Sequence, residues 1–429
     1  MDGLILPSQG VATDEHDLLV ERDERAPRQG AEPLGVLARR LEARGLRKRP
    51  LSQWLSRRIG IRLLDVVRIL FYTSRLARRL RIEFGVSILT QLAAQFDLAF
   101  RRGIDPSLYY FEELYKPGPL ARIDDYFTRR EVKGALLRLM HRLEPPAAER
   151  RINLGDKLQF TAWCARTNLA HVAPLMLIEG GHIVWQAGDL LALDRDLFVK
   201  PRVSRGARGA ALYRRIAPMR FQDRARRSMT LGTIVADLVR RFKSTNLMIL
   251  PRLHNHPELA DLASESLITV RAVTCLNERH QPELVVAYLR ILTKLEHAWP
   301  VKAPITEYAA AVDLTSGRLS KMTGDQPECL SDWHDRHPVT GAQVLGRVVP
   351  CWDDVISLAE RAHRVTRDRV LVGWDIAITP DGPLLLEGNS YPDVHYPQRI
   401  YKRPYGEMRI GQLLRHHMMR LENKWSQEG

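Results

Sequence analysis

Cysteine is sparse in this sequence. Four residues, Cys164, Cys275, Cys329 and Cys351, are scattered over 429 positions, with no CxxC pair and no histidine at zinc-ligand spacing. That spacing excludes a zinc ribbon and predicts free thiols in a reducing compartment. Long apolar runs are absent as well: nothing approaches the ~20 apolar residues of a membrane-spanning helix. A basic-then-apolar export signal is lacking. Residues 12–32 are polar and acidic instead, which predicts a cytosolic chain with a disordered leader over 1–32. There is no internal repeat and no low-complexity tract. Lysine is rare, at 11 of the 65 basic residues; the other 54 are arginine.

The net charge is +15, and its distribution is uneven. Residues 39–102 hold 16 Lys or Arg against four acids, a local net of +12. Arginine forks carboxylate and phosphate, so such a surface favours anionic partners, although codon composition explains an arginine bias equally well. The segment reads as helices. Leu34, Leu37, Leu41 and then Leu51, Trp54, Leu55 recur at three- and four-residue steps, and Ile61 to Phe84 carries Leu64, Val67, Ile69, Leu70, Leu76 and Leu80 with arginine between them. Two readings stand: helices packed on the protein's own core with a solvated arginine face, which the sequence favours, or peripheral contact with an anionic membrane through residues 39–102. No nucleic acid is expected, because no recognition motif accompanies the charge.

Residues 107–150 bring Tyr109, Tyr110, Phe111, Tyr115, Tyr126 and Phe127, a Pro-Gly-Pro turn at 117–119, and a helix over 129–143. Pro145-Pro146 marks a boundary, which makes 33–150 a basic helical region. Beyond residue 151 short aliphatic or β-branched runs alternate with helices: 175–178, 197–199, 247–250, 267–274, 283–292, 308–314, 370–378 and 384–387. That texture predicts an α/β or α+β domain over 151–415, leaving 416–429 as a tail.

The stretch from Gly373 to Asn389 reads as a β-hairpin turning at Pro380-Asp381-Gly382. Its strands set Asp375 opposite Glu387. Asn389, two residues on, shares the face of Glu387. Three oxygen donors converging in this way suit a hard cation that bridges phosphates. Apolar Leu384–Leu386 beside them argues against two idle surface acids.

This D-x(11)-E-x-N hairpin resembles the metal-binding end of ATP-grasp enzymes, such as D-alanine–D-alanine ligases and glutamate ligases. The wording GWDIAITPDGPLLLEGN is similar to the alpha-L-glutamate ligase-related, sugar-transfer-associated branch. The resemblance covers about residues 150–410. It implies an α+β ATP-grasp fold, two subdomains gripping ATP, behind a mainly helical N-terminal region. It also implies ATP and Mg2+ (or Mn2+), with Asp375, Glu387 and Asn389 as metal ligands.

Carried over in order, the resemblance assigns Lys157, in Gly155-Asp156-Lys157, and Lys200, in Val199-Lys200-Pro201, to the nucleotide phosphates. Ser204, Gly206 and Gly209 fall in a small-residue loop that would cap them, its backbone N–H groups free to approach phosphate oxygens. The hinge falls near 247–258, where Leu250 and Arg252 border the adenine and Glu258 is the candidate for ribose; His256 before Pro257 reads as a turn residue. Arg271 and Arg290 on neighbouring strands form an anion clamp for the transferred phosphate or a substrate carboxylate. One departure concerns the acceptor: residues 295–304 lack the Asn- and Gly-rich segment of the relatives.

The implied activity is ADP-forming ligation of a carboxylate, through an acyl-phosphate, to an amine or another nucleophile. Cell-surface polysaccharide or sugar-conjugate modification is the implied setting. Two competing readings remain: a kinase-like member that phosphorylates a sugar hydroxyl, and a non-catalytic scaffold at a membrane or glycosyltransferase complex.

Overall fold

The computed structural model describes residues 32–46, 51–133, 136–144, 152–186, 194–202, 210–241, 246–263, 266–292, 307–366 and 368–427. Most of the expected leader therefore lies outside the described residues.

The N-terminal third is helical, as its periodicity predicts. It comprises α1 (Leu34–Leu46), α2 (Leu51–Phe84), α3 (Ile88–Phe96), α4 (Leu108–Phe111), α5 (Pro117–Ala121), α6 (Arg129–Lys133) and α7 (Leu136–His141). The runs at 51–55 and 61–84 are one helix of 34 residues. The Pro-Gly-Pro expected as a turn instead opens α5, where Pro117 sits at the first helical position, which tolerates its missing N–H. Of the helix expected over 129–143, Arg129–Lys133 and Leu136–His141 are helical, and 134–135 lie outside the described residues.

Two antiparallel sheets follow. One, with order β2-β1-β7-β3-β4-β5-β6, is built from β1 (Met176–Glu179), β2 (His182–Gln186), β3 (Leu197–Pro201), β4 (Ala211–Ala217), β5 (Arg220–Gln222), β6 (Ser228–Thr230) and β7 (Leu247–Pro251). The other, with order β11-β10-β9-β8-β12-β13, contains β8 (Thr269–Leu276), β9 (Pro282–Leu292), β10 (Glu307–Val312), β11 (Leu319–Gly324), β12 (Leu371–Thr379) and β13 (Gly382–Asn389). Helix α8 (Lys157–Arg166) precedes β1, and α9 (Leu231–Arg241) precedes β7. Helices α10 (Trp352–Val365), α11 (His395–Ile400) and α12 (Arg409–Gln427) complete the chain. The eight apolar runs read as strands are strands. Those missed, β2, β4 to β6 and β11, are polar or short; all five residues of β2 are exposed, so no burial pattern marks it.

Alternation divides the cores. Leu197, Val199, Leu247 and Ile249 face α9. Val270, Ala272, Val372, Trp374 and Ile376 face α10. On the opposite face of the six-stranded sheet, Val273, Tyr288, Ala309 and Leu371 share one cluster with Leu34, Leu80, Leu137 and Leu414. The N-terminal helices therefore complete the same core as the sheet. The segment 416–429, set apart as a tail, is instead the second half of α12 as far as Gln427, with Met418, Leu421 and Trp425 buried. The four cysteines are free, as expected.

Helix α8 bridges the sheets. Phe160, Trp163 and Cys164 enter the core of the six-stranded sheet, where the Trp163 ring stacks on Trp374 at 6.4 Å. Leu158 packs against the seven-stranded sheet. After α8 the chain runs beside β13, with the Leu385 N–H donating to the Ala170 carbonyl at 2.9 Å. After β7 it crosses back, and the His256 N–H donates to the Ile378 carbonyl at 2.8 Å.

Candidate functional site

Strand parity puts the site between the sheets. On β3, Leu197 and Val199 point to α9, so Phe198 and Lys200 point the other way. The same parity turns Met248 and Leu250 of β7 and Leu177 of β1 onto that face. There they form a small apolar cluster with Leu158, Val172 and Phe198. It is an apolar surface suited to a flat heteroaromatic ring, and Leu250 lies within it. Only Leu250 of this set was singled out in the sequence, although the i, i+2 pairing of Phe198 with Lys200 was legible there.

Lys200 lies at the ladder end of β3 and Lys157 at the first position of α8. The α8 N-terminus is fixed by Asp156, whose carboxylate accepts from the N–H groups of Leu158 (3.1 Å) and Gln159 (3.2 Å). Arg202 forks the same carboxylate at 3.0 and 2.9 Å, which ties α8 to the end of β3. Asp156→Ala removes the cap and the ion pair together. It is expected to lower stability by about 1–2 kcal/mol, read as a drop in Tm at unchanged secondary structure.

The Lys157 ammonium group is close enough to perturb that of Lys200. The Lys200 amine is brought down to about 8, by burial first and then by the charge of Lys157, with Glu387 opposing. Burial also lowers Lys157, and Glu387 again opposes. The charge of Glu387, on the six-stranded sheet, therefore reaches both Lys157 at the start of α8 and Lys200 on β3.

Asp375 and Glu387 are direct cross-strand partners, as the hairpin reading requires, and a bulge at Leu386 follows at once. Their carboxyls are near enough to push their titrations in opposite directions. Burial pushes Glu387 up and the charge of Asp375 pushes it further, against the pull of Lys157. Burial pushes Asp375 up as well, but Arg271 and Arg290 overcome it and hold it at about 2. Arg271 reaches both Asp375 oxygens, with Nη2 to Oδ2 at 3.0 Å and Nε to Oδ1. Arg290 Nη1 donates to Asp375 Oδ2 at 3.1 Å, and Glu307 forks Arg290 at 2.7 Å twice. Gly373 makes room for this: a Cβ there would come within 2.9 Å of Pro392 and 3.3 Å of Arg271 Cδ. Asn389 lies two residue pairs beyond, opposite Gly373, with Oδ1 accepting from the Tyr391 N–H at 3.1 Å.

The donor chemistry fits a divalent cation. Two adjacent carboxyls, one of them pushed up by the charge of the other, are relieved when a cation binds beside them. Among the described residues no three His, Cys, Asp or Glu side chains converge, so the set is two carboxyls and the Asn389 carboxamide. Asp375 is also engaged by two arginines, which the sequence did not reveal. Arg271 and Arg290 are thus brought to the carboxylates, and Glu307 is a partner that was missed altogether.

The sequence pattern of the sugar-transfer associated ATP-grasp proteins matches residues 138–404. The chain belongs to this family. No curated protein matches it. Among solved structures, this ATP-grasp chain is similar to D-alanyl-alanine synthetase A from Vibrio cholerae at 12% identity and a TM-score of 0.37, covering 63% of this chain and 65% of that one. It is also similar to the ATP-grasp ligase PsnB complexed with minimal precursor, at 13% identity and a TM-score of 0.33, covering 62% and 60%. A third, D-alanine–D-alanine ligase from Bacillus anthracis complexed with ATP, stands at 8% identity and 0.36, covering 64% and 69%. The chain spans less than two thirds of the length of the first two.

The remaining site residues of this ATP-grasp chain are placed as follows. Arg252 is bonded to the start of β3, with its N–H on the Asp196 carbonyl at 2.8 Å and Nη1 on Asp196 Oδ2 at 3.2 Å, so its guanidinium is already partnered. Glu258 is exposed on a 3-10 turn beside the hairpin, its carbonyl accepting from Arg347 at 3.0 Å. His256 caps that turn, as its position before Pro257 suggested, with Nδ1 accepting from the Glu258 N–H. Ser204, Gly206 and Gly209 fall in 203–209, outside the described residues, as does the acceptor-side segment 295–304.

Proposed function

We propose that the chain is an ATP-dependent, ADP-forming ligase that activates a carboxylate as an acyl-phosphate for attack by an amine or another nucleophile. The observation that carries this reading is the meeting of Lys157 and Lys200 with the Asp375–Glu387 pair across two sheets, beside an apolar slot. Adenine would lie on Leu177, Phe198, Met248 and Leu250, and the two lysines would neutralise its phosphates. Asp375, Glu387 and Asn389 would hold Mg2+, which would supply positive charge against the phosphates. Arg271 and Arg290 are preorganised by Asp375 and Glu307. They would hold the substrate carboxylate or the transferred phosphoryl group, so that positioning and charge do most of the catalysis. Glutamate-ligase-like substrate choice, a sugar-conjugate acceptor and a role in polysaccharide biosynthesis belong to the same proposal, motivated by the family's association with sugar transfer.

The test is ATP turnover screened against amino acids, amino sugars and uronic acids. The expected products are ADP, free phosphate and an amide, with Glu387→Gln inactive. A phosphorylated acceptor without free phosphate would replace the ligase by a sugar kinase. No turnover with any acceptor, unchanged in Glu387→Gln, would favour a scaffold.

A further inference from the structure

Helix α2 divides its apolar residues in a way the sequence does not reveal. At about 100° per residue, Ile69, Leu76 and Leu80 fall on one stripe and are buried at 0%, 4% and 0% exposure. Leu63, Leu64, Val67, Leu70 and Phe71 fall on the opposite arc and stand out at 46–64% exposure. The same arc continues through Arg78, Arg81 and Ile82, all exposed.

Helix α3 lies antiparallel to α2, fixed where Gln91 Nε2 donates to the Ala77 carbonyl (3.1 Å) and Gln95 Nε2 to Thr73 Oγ1 (3.0 Å). Its outward side adds Leu89, at 78% exposure, and Phe96, and the turn that follows adds Phe100. Scattered exposed leucines are ordinary; this many large apolar groups along one helix hairpin mark a docking face.

We propose that the outward face of the α2–α3 hairpin docks on an anionic lipid bilayer, lying in the headgroup layer. Charge complementarity selects that occupant. The three acids in 51–102 are all paired: Asp65 is buried on Arg130, Glu83 pairs with Arg79 and Asp97 with Arg102. Arg78 and Arg81 make no ion pair with any described residue, so the face is apolar and net positive. A second copy of the chain would set arginine against arginine. An apolar arc continuing into arginine on a long single helix is the arrangement that buries leucine in an interface and leaves guanidinium groups to phosphate headgroups. No helix among the described residues is long and apolar enough to cross the membrane.

Vesicle flotation of the full chain tests this. Wild type is expected to float with equimolar phosphatidylglycerol–phosphatidylcholine vesicles and to stay down with phosphatidylcholine alone. Val67→Glu/Leu70→Glu is expected to lower the bound fraction about tenfold. Arg78→Glu/Arg81→Glu should lower it by a similar factor at low salt and by less at high salt. These positions are exposed and lie outside the nucleotide site, so ATP turnover in solution stays unchanged in both variants, whatever becomes of the ligase reading. Wild type that does not float, or that floats equally after Val67→Glu/Leu70→Glu, overturns the proposal. Concentration-dependent dimers abolished by the same substitutions, without flotation, replace the lipid by a second copy of the chain.

Discussion

Lys200→Met lowers kcat for ATP turnover by about 10²- to 10³-fold and leaves the fold intact. The ammonium group is held at about 8 by burial and by Lys157, so the folded protein gains little from its charge. Methionine keeps the length of the stem and removes the desolvated cation, so Tm should be unchanged or slightly higher. ATP brings phosphates against the same point, and there the missing charge is felt. Steady-state turnover and a thermal melt on the same preparation separate the two effects. A fall in Tm that accounts for the lost activity would assign Lys200 to structure.

Acidification from pH 7 to pH 5 should destabilise the protein by several kcal/mol, and two buried histidines are a principal reason. His363 Nε2–H donates to the Arg369 carbonyl at 2.8 Å, and its Nδ1 is buried without a partner. Burial lowers its pKa to about 4 against the hydrogen bond to the Arg369 carbonyl; the charges of Arg369 and His417 help and Glu144 opposes. His417 Nε2–H donates to the Leu276 carbonyl at 2.7 Å, and its Nδ1 accepts from Arg420 at 3.1 Å. Burial, His416 and Arg420 bring it to about 4, against Glu144. The unfolded chain takes up these protons near the ordinary histidine value of ~6.5. Between there and about 4 the unfolded state therefore binds more protons, and stability falls as pH drops. Each histidine contributes on the order of 3 kcal/mol over the whole window. Tm measured against pH checks this, and His363→Gln/His417→Gln should flatten the fall.

The hairpin was the most legible part of the site. Its turn residues fix where the strands reverse, and parity then forces Asp375, Glu387 and Asn389 onto one face. Lys157 and Lys200 were legible as isolated charges, at an N-capped helix start and at a strand end. Their proximity was not, because it depends on two sheets being brought together through α8. The Arg271–Asp375 fork joins residues 104 apart in sequence, and no local pattern encodes a register between β8 and β12. Glu307 was invisible for the same reason. On α2 the periodicity was read correctly and only half its meaning was available. Ile69 and Leu64 look alike in a helical pattern until the neighbour that buries one of them is in place.

The central claim is that two carboxyls of the six-stranded sheet, with the ammonium groups of Lys157 on α8 and Lys200 on the seven-stranded sheet, hold a single metal–nucleotide complex. ADP titration calorimetry, with and without Mg2+, on wild type and Glu387→Gln tests it most directly. Mg2+ should tighten ADP binding to wild type and leave the variant unaffected, with both proteins binding metal-free ADP equally. Equal tightening by Mg2+ in the two proteins would contradict the claim.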